Sequence, residues 1–273
     1  MKKGIVKMTK KYKVGIDGGH GMETAGKRTP AIAELGGRVI RENEFNDAVA
    51  VRLQKALARC GFDTMFTAPE TSDTPLGTRV KRANASKVDI LVSLHYNAIT
   101  ASFATAKASG FEVLAGSSSD SKRLAKCILD SLVGGTEQKN RGIKDGSWLA
   151  LNKCKMPLAL VEYGFMDNKK EALLMIDPAF LTECAEETAK GICKYFGVTY
   201  KAPAGNTPAP APAPSKPAPK PTPTPSKPAP KKDVYRVIVD GKQVGAYAEG
   251  SNLLEQARKS LASGAKNIRI EKA

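Results

Sequence analysis

The sequence lacks several features that would assign it to a common class. No run of 18 apolar residues occurs, which excludes a transmembrane helix and predicts no insertion into a membrane. The first residues, 1–11, are basic but lack the apolar stretch of a secretory signal, so we expect synthesis in the cytoplasm without a signal peptide. The five cysteines form no Cys-x-x-Cys pair, which argues against a disulfide framework and predicts reduced, buried thiols.

Acidic residues are also scarce, with 27 against 43 lysines and arginines, and the net charge of +16 suggests a nucleic-acid partner. The excess lies in two places. Residues 1–13 hold six lysines and no acid, and residues 201–232 hold six lysines, no acid and 12 of the 17 prolines. Residues 14–200 are nearly balanced, with 24 basic and 22 acidic side chains. We therefore expect no nucleic-acid binding, because no basic folded face is predicted.

Composition divides the chain into four predicted segments. These are a basic leader (1–11), a larger domain of a size that can hold a catalytic site (12–200), a Pro/Ala/Lys-rich linker (201–232) and a small C-terminal module (233–273). Proline fixes φ and removes hydrogen-bond donors, so the linker is expected to be an extended, polyproline-like spacer. A chain with so long a spacer is expected to act on something large.

The C-terminal module has the pattern of two strands, a helix and a final strand. Asp240-Gly241 predicts a tight hairpin turn between the two strands, and Ser251 is a candidate cap for the helix. This ββαβ module is close to the lower size limit for independent folding, so either self-association through residues 233–273 or docking onto another surface is expected. Binding is a more suitable role than catalysis for so small a unit.

Strands and helices alternate along residues 12–200, which predicts an α/β fold with a twisted, mostly parallel sheet flanked by helices. The clearest strand patterns are 12–17, 62–67, 89–94, 111–114 and 157–161, and the clearest helical patterns are 42–60, 78–86, 119–132 and 177–196. In such sheets, functional residues gather at the carboxyl ends of the strands.

Both histidines of the chain occupy such strand ends. His20 and His95 each follow a predicted strand, Glu162 follows another, and Glu42 begins the first long helix. We expect these four side chains to converge on one rim of the sheet. The residues alone leave two interpretations open, since strand-end histidines and glutamates also serve as hydrogen-bonded structural groups, and acids favour helix N-termini. The alternative is a metal site with two imidazoles and a carboxylate.

Five segments in order resemble the zinc-dependent N-acetylmuramoyl-L-alanine amidases of the amidase-3 type. They are Asp17-Gly-Gly-His20-Gly, Arg41-Glu42-Asn-Glu-Phe-Asn46, Arg79-Val-Lys-Arg82-Ala-Asn84, Ser93-Leu-His95-Tyr-Asn97-Ala98 and Val161-Glu162-Tyr-Gly164-Phe165-Met-Asp-Asn168. The resemblance covers residues 12–198. Two positions depart from the family pattern: Gly18 stands where Pro is usual, and Tyr96 stands where Ala is common.

The resemblance implies one Zn²⁺ held by His20, Glu42 and His95, with Glu162 as the catalytic carboxylate. Glu44 is a rival to Glu42 as the third ligand. Glu42 is preferred because it precedes the family's asparagine by four positions.

Asp17 and Asn97 each have two predicted roles. Asp17 is expected either to orient His20 or to cap a turn. Asn97 is expected either to contact substrate or to hold its loop.

The resemblance also implies the substrate, which is the peptidoglycan of the bacterial cell wall. The amide bond that the enzyme hydrolyses would be the one that links N-acetylmuramic acid to the L-alanine of the stem peptide. The C-terminal module resembles small wall-binding modules, including the sporulation-related repeat type, so the linker would let one end hold the wall while the other cleaves.

Without a signal peptide, we expect a phage endolysin that reaches the wall after release; a host enzyme released at lysis is the alternative. Two competing hypotheses are a zinc peptidase that cuts within the stem and a non-catalytic wall-binding protein.

Overall fold

The structure is a computed structural model that describes residues 11–203, 235–247 and 267–272. The chain divides into two compact units, residues 1–209 and 210–273. The predicted leader and linker lie almost entirely outside the described residues, as does the helix predicted after Ser251. Within the described part of the chain, no helix is long and apolar enough to cross a membrane.

The larger unit is built on a six-stranded sheet. Its strands are β1 (Lys13–Asp17), β2 (Asp63–Phe66), β3 (Ile90–Asn97), β4 (Phe111–Ala115), β5 (Asn140–Asp145) and β6 (Leu158–Phe165), in the order β2-β1-β3-β6-β4-β5. The first four strands in this order are parallel, β4 is antiparallel to β6, and β5 is parallel to β4. The prediction of an α/β fold with a mostly parallel sheet is confirmed.

Within residues 11–203, five α-helices flank this sheet. They are α1 (Glu42–Arg59), α2 (Leu76–Ala85), α3 (Ser119–Gly135), α4 (Lys169–Leu174) and α5 (Pro178–Phe196). The main core lies between one face of the sheet and helices α1, α3 and α5, whose apolar positions recur at helical spacing. The other face carries a smaller core with α2 and a short 3₁₀ helix, Ala150–Lys153.

Strands β3 and β6 are longer than their apolar patterns predict. The predicted strands end at residues 94 and 161, whereas the observed ones continue to Asn97 and Phe165. His95 and Glu162 therefore lie within strands and pair with each other in register, so the prediction that they follow the strands was wrong. The reason is that parallel pairing uses the main chain, which continues when the side chains become polar.

The described part of the smaller unit is a three-stranded antiparallel sheet. Its strands are β7 (Tyr235–Val239), β8 (Lys242–Tyr247) and β9 (Ile268–Lys272), in the order β8-β7-β9. Asp240 and Gly241 connect β7 to β8 with φ of 47° and 84°. Positive φ at both central residues is the conformation of a two-residue hairpin turn, which Asp-Gly favours. The predicted hairpin is thus present.

Candidate metal centre and active site

Two imidazoles and one carboxylate meet at the carboxyl ends of two interior strands of the larger sheet. His20 follows β1, Glu42 is the first residue of α1, and His95 lies in β3. One candidate ligand atom from each residue lies within 4.8 Å of the other two. His95 Nδ1 is 2.8 Å from Glu42 Oε1, and His20 Nε2 is 3.8 Å from Glu42 Oε2. These three side chains therefore lie close together, as the sequence predicts.

Helix α1 fixes the backbone around His20. Asn43 Nδ2 donates a hydrogen bond of 2.6 Å to the His20 carbonyl, and Asn46 Nδ2 donates to the Gly19 carbonyl. A side chain at position 19 would collide with a buried guanidinium, because a Cβ there would overlap Arg79 Nη1. Glycine at this position thus permits the close approach that brings the His20 loop over β3.

Glu42 has the environment of a metal ligand. Its side chain is 1% exposed, and Oε2 has no hydrogen-bond partner among the described residues. Lys27 Nζ lies 3.7 Å from this oxygen, which places a cation nearby without a hydrogen bond. A buried carboxylate oxygen without a partner is costly, and two imidazole nitrogens with one carboxylate oxygen are a donor set that suits Zn²⁺. The residues present therefore fit a zinc ion.

The protonation states of His20 and Glu42 also favour metal binding. Burial lowers the pKa of His20 from 6.5 to about 4, against the opposing charge of Glu42, so the imidazole is neutral at pH 7. Burial opposes ionisation of Glu42, but the hydrogen bond from His95 and the neighbouring positive charges lower its pKa to about 2. A neutral imidazole and an ionised carboxylate are the forms that coordinate metals.

Glu44, the rival ligand, has a different role. Its Oε1 accepts a hydrogen bond of 2.9 Å from the Arg41 backbone N–H at the start of α1, and Oε2 pairs with Arg38. This arrangement caps the helix and neutralises the carboxylate. Glu42, rather than Glu44, reaches the two histidines.

Glu162 lies beside this cluster on the same face of the sheet. It pairs with His95 in register, and its Oε2 is buried with no hydrogen-bond partner among the described residues. Burial raises the pKa of Glu162 to about 8, against the positive charge of His95 and with the help of the Glu42 charge. A carboxylate with a pKa near neutrality can both accept and donate a proton.

The described hydrogen bonds connect Asp17 with His95 through Ser93, and none of them joins it to His20. Its carboxylate accepts hydrogen bonds from Thr67 Oγ1 and, at 2.7 Å, from Ser93 Oγ, which lies 3.0 Å from His95 Nε2. Arg79, 2% exposed, places Nη1 3.5 Å from Asp17 Oδ2. Ser93 and Asp17 thus hold the His95 ring in the orientation that points Nδ1 toward Glu42.

Asn97 holds a row of polar residues beside Glu162. Its Nδ2 donates to Glu112 Oε1 at 3.2 Å, and its Oδ1 accepts from the Ala98 backbone N–H at 2.7 Å. Glu112 Oε2 accepts from Arg141 Nε at 2.7 Å. The described structure thus gives Asn97 the loop-holding contacts expected of one of its two predicted roles.

Asp167 anchors the loop that follows β3. One oxygen, Oδ2, accepts hydrogen bonds from Ile99 N, Thr100 N and Thr100 Oγ1 at 2.7–3.0 Å. The side chain is fully buried, and the loop it holds presents Ile99 with 67% exposure. The segment after Glu162 therefore fixes the start of the loop that borders the site.

Several residues of the site carry no separate signal in the sequence. Arg79, Ser93, Glu112 and Arg141 act through contacts with residues far away along the chain. Arg79 and Ser93 do fall within the family-like segments, but no pattern assigned them a role. A three-dimensional arrangement of buried donors and acceptors was needed to find them.

The fold and the site together define a class. A mostly parallel α/β sheet carries two imidazoles and a carboxylate in position to hold a metal ion, with a second carboxylate of raised pKa next to them. This combination is typical of metal-dependent hydrolases.

Comparison with known sequences identifies the family. The sequence profile described as N-acetylmuramoyl-L-alanine amidase (amidase-3) matches residues 14–194, so the chain belongs to this enzyme family. The chain is 30% identical over 206 residues to the endolysin of Bacillus phage SPP1, covering 71% of this chain and 69% of that protein. It is 31% identical over 198 residues to the germination-specific N-acetylmuramoyl-L-alanine amidase of Bacillus subtilis, covering 66% and 78%.

Solved structures agree with this assignment. The N-acetylmuramoyl-L-alanine amidase of Clostridium difficile 630 has a TM-score of 0.61 and 26% identity, over 69% of this chain and 98% of that one. The catalytic domain of CwlV, an amidase from Bacillus (Paenibacillus) polymyxa var. colistinus, has a TM-score of 0.60 and 28% identity, over 69% and 99%. The larger unit thus has the fold of a complete amidase domain.

Proposed function

We propose that the chain is a zinc-dependent amidase that hydrolyses the bond between N-acetylmuramic acid and the L-alanine of the peptidoglycan stem peptide. The observation that carries the proposal is the buried Glu42 Oε2, which has no hydrogen-bond partner among the described residues and faces His20 Nε2 at 3.8 Å. Membership of the amidase family supports the choice of bond.

The three cluster residues would hold the zinc ion. His20, Glu42 and His95 make a three-ligand set that leaves a coordination position open. The ion, when bound, supplies Lewis-acid polarisation of the amide carbonyl and makes a water molecule more acidic. Ser93 and Asp17 keep the His95 ring oriented for this role through the hydrogen bonds described above.

Glu162 moves the proton in the proposed reaction. Its carboxylate accepts a proton from the water that attacks the amide carbonyl, and then donates that proton to the leaving nitrogen of L-alanine. The raised pKa of Glu162 suits both steps, since the group must change protonation twice near neutral pH. The buried, unpartnered Oε2 is available for this exchange.

End-group analysis of digested peptidoglycan tests the proposal. Purified walls are incubated with the chain, and new amino termini are labelled and identified. We expect new N-terminal L-alanine. New termini at another stem residue would instead indicate a zinc peptidase. No new termini, with binding to walls retained, would indicate a non-catalytic wall-binding protein.

We propose that residues 233–273 bind the cell wall and that the linker 201–232 tethers this module to the enzyme. The basic, proline-rich composition of the linker and the small antiparallel sheet support a binding role. Co-sedimentation with walls should be lost in a chain that ends at residue 203, while hydrolysis of soluble muramoyl peptides remains. Added salt should weaken wall attachment of the full chain, because salt screens the excess positive charge of the leader and linker sequences. Self-association through this module stays a prediction, to be measured by light scattering.

We also propose that the protein acts as a phage endolysin, made in the cytoplasm and active on the wall after release. The similarity to the endolysin of Bacillus phage SPP1 supports this role. Cells that express the chain should stay intact until the membrane is permeabilised and should then lyse. Lysis without permeabilisation would contradict release as the controlling step.

A further inference from the structure

A row of polar side chains crosses the sheet from the metal cluster. His95 on β3 pairs in register with Glu162 on β6, and Glu162 pairs with Glu112 on β4. Residues in register on neighbouring strands point to the same face, so these three side chains form one line. Arg141 on β5 ends the row, through the hydrogen bond from its Nε to Glu112.

The guanidinium of Arg141 is fixed in place yet keeps free donors. Its Cζ lies 4.8 Å from the centre of the Phe165 ring, and the side chain is 26% exposed. Among the described residues, the hydrogen bond from Nε to Glu112 is the one hydrogen bond the structure gives this side chain. The Nη groups therefore remain for a ligand, and a planar guanidinium with parallel N–H groups matches a carboxylate.

The reach of Arg141 matches a short peptide extending from the scissile amide. Phe165 belongs to β6, one strand away from His95, so the guanidinium has folded back from β5 toward the cluster. Strands are spaced by about 4.8 Å, and an extended peptide advances about 3.4 Å per residue. For an amide bound at the cluster, one or two residues of extended peptide would span this separation.

We propose that Arg141, held by Glu112 and Phe165, binds a carboxylate of the stem peptide within two residues of the scissile amide. The inference rests on the proposed amidase function. In peptidoglycan the residue after L-alanine is a glutamyl group whose α-carboxyl is either free or amidated. Arg141 would therefore make the enzyme select stems with the free carboxylate.

Two soluble muramoyl peptides test this proposal. They share the sugar and the stem and differ in one group, a carboxylate or a carboxamide on the second stem residue. We expect the wild-type chain to prefer the acid by about tenfold or more in kcat/KM, as for a charge-assisted hydrogen bond, with the difference mainly in KM. In Arg141→Gln the preference should fall to near one, and Arg141→Lys should restore part of it.

A matched control separates this role from general effects of losing an arginine. Arg123 also lies over an aromatic ring, with its Cζ 3.8 Å from the centre of Tyr195, and it pairs with Asp120 away from the cluster. Arg123→Gln should leave the acid preference unchanged. If Arg141→Gln fails to fold because Glu112 loses its partner, the double variant Glu112→Gln/Arg141→Gln removes the unpaired charge and is measured instead.

A binding measurement keeps this proposal separate from the proposed reaction. Calorimetry with Glu162→Gln measures the affinity for the acid and for the amide, and repeats the comparison after Arg141→Gln is added. Tighter binding of the acid that depends on Arg141 supports the carboxylate site even if hydrolysis occurs at another bond. Equal affinity for both peptides, or a preference that survives Arg141→Gln, would overturn it and leave Arg141 as a partner of Glu112 only.

Discussion

Two neighbouring regions at the carboxyl ends of the sheet strands shift the pKa of a glutamate in opposite directions. In the cluster of His20, Glu42 and His95, the hydrogen bond from His95 and nearby positive charges outweigh the burial of Glu42 and bring its pKa to about 2. One strand away, Glu162 has no hydrogen-bond donor for Oε2 among the described residues, and burial raises its pKa to about 8. The comparison teaches that the donors around each carboxylate, rather than its depth, decide which glutamate would hold a metal ion and which would move a proton.

The largest expected effect is a loss of kcat on substitution of Glu162, which distinguishes this residue from the candidate metal ligand Glu42. Glu162→Gln removes the proton-accepting group and should lower kcat by about 10²- to 10⁴-fold, the usual contribution of general acid–base catalysis. Zinc content, measured by elemental analysis, should not change. Glu183→Gln is a matched control, because burial also raises the pKa of Glu183, on α5. Full activity in Glu162→Gln would contradict the assigned role.

The next effect is a loss of zinc affinity, which is expected on substitution of Glu42 and not of Glu162. Glu42→Gln removes a charged ligand and should weaken zinc binding by more than about a hundredfold, beyond the cost of losing an outer hydrogen bond. A competing chelator measures the affinity. Glu44→Gln serves as the control, since Glu44 caps α1 and pairs with Arg38. Loss of zinc in Glu44→Gln but not in Glu42→Gln would reverse the ligand assignment.

A smaller effect extends the comparison to the residues behind His95. Asp17→Asn weakens the acceptor for Ser93 and should lower zinc affinity by about 10- to 100-fold, as for other outer partners of metal ligands. Ser93→Ala should act in the same direction. Asp130→Asn, a change on α3 where Asp130 pairs with Lys126 and Lys194, should leave affinity unchanged. Unaltered zinc binding in Asp17→Asn would show that this path is not used.

The last comparison concerns stability, which should depend on pH in the zinc-free protein. The folded pKa of Glu162, about 8, lies above its ordinary value of 4.5, so the folded state retains a proton that the unfolded state releases. This group therefore destabilises the fold as pH rises from about 4.5 to 8. Glu162→Gln should match the wild type in melting temperature near pH 5 and exceed it near pH 8. A constant difference across this range would argue against a raised pKa.

The site was predictable where its chemistry coincided with strand ends. His20, His95 and Glu162 stand out because two rare histidines and a glutamate interrupt or follow apolar strand patterns. Strand β5 was not predicted, because Asn140–Asp145 contains one branched apolar residue and is mostly exposed. Its importance for the site depends on pairing with β4, a contact between segments about 30 residues apart that no local pattern encodes.

The partners of the site residues were also hidden from sequence reasoning. Asp17 and Ser93 meet because β1 and β3 are neighbours in register, although they are 76 residues apart. Helix α4 was missed because it is only six residues long, too short for a helical period to be recognised. Such contacts follow from topology and cannot be derived from the spacing of residues along the chain.

The anchoring of the β3–β4 loop by Asp167 has a consequence for how this enzyme can be altered. Because three hydrogen bonds to one buried carboxylate fix residues 99 and 100, changes of length further along the connection to Phe111 are isolated from His95. Loops are also the segments that best accept insertions. This connection is therefore a suitable place to graft longer segments that widen or narrow the range of walls attacked, without redesigning the chemistry.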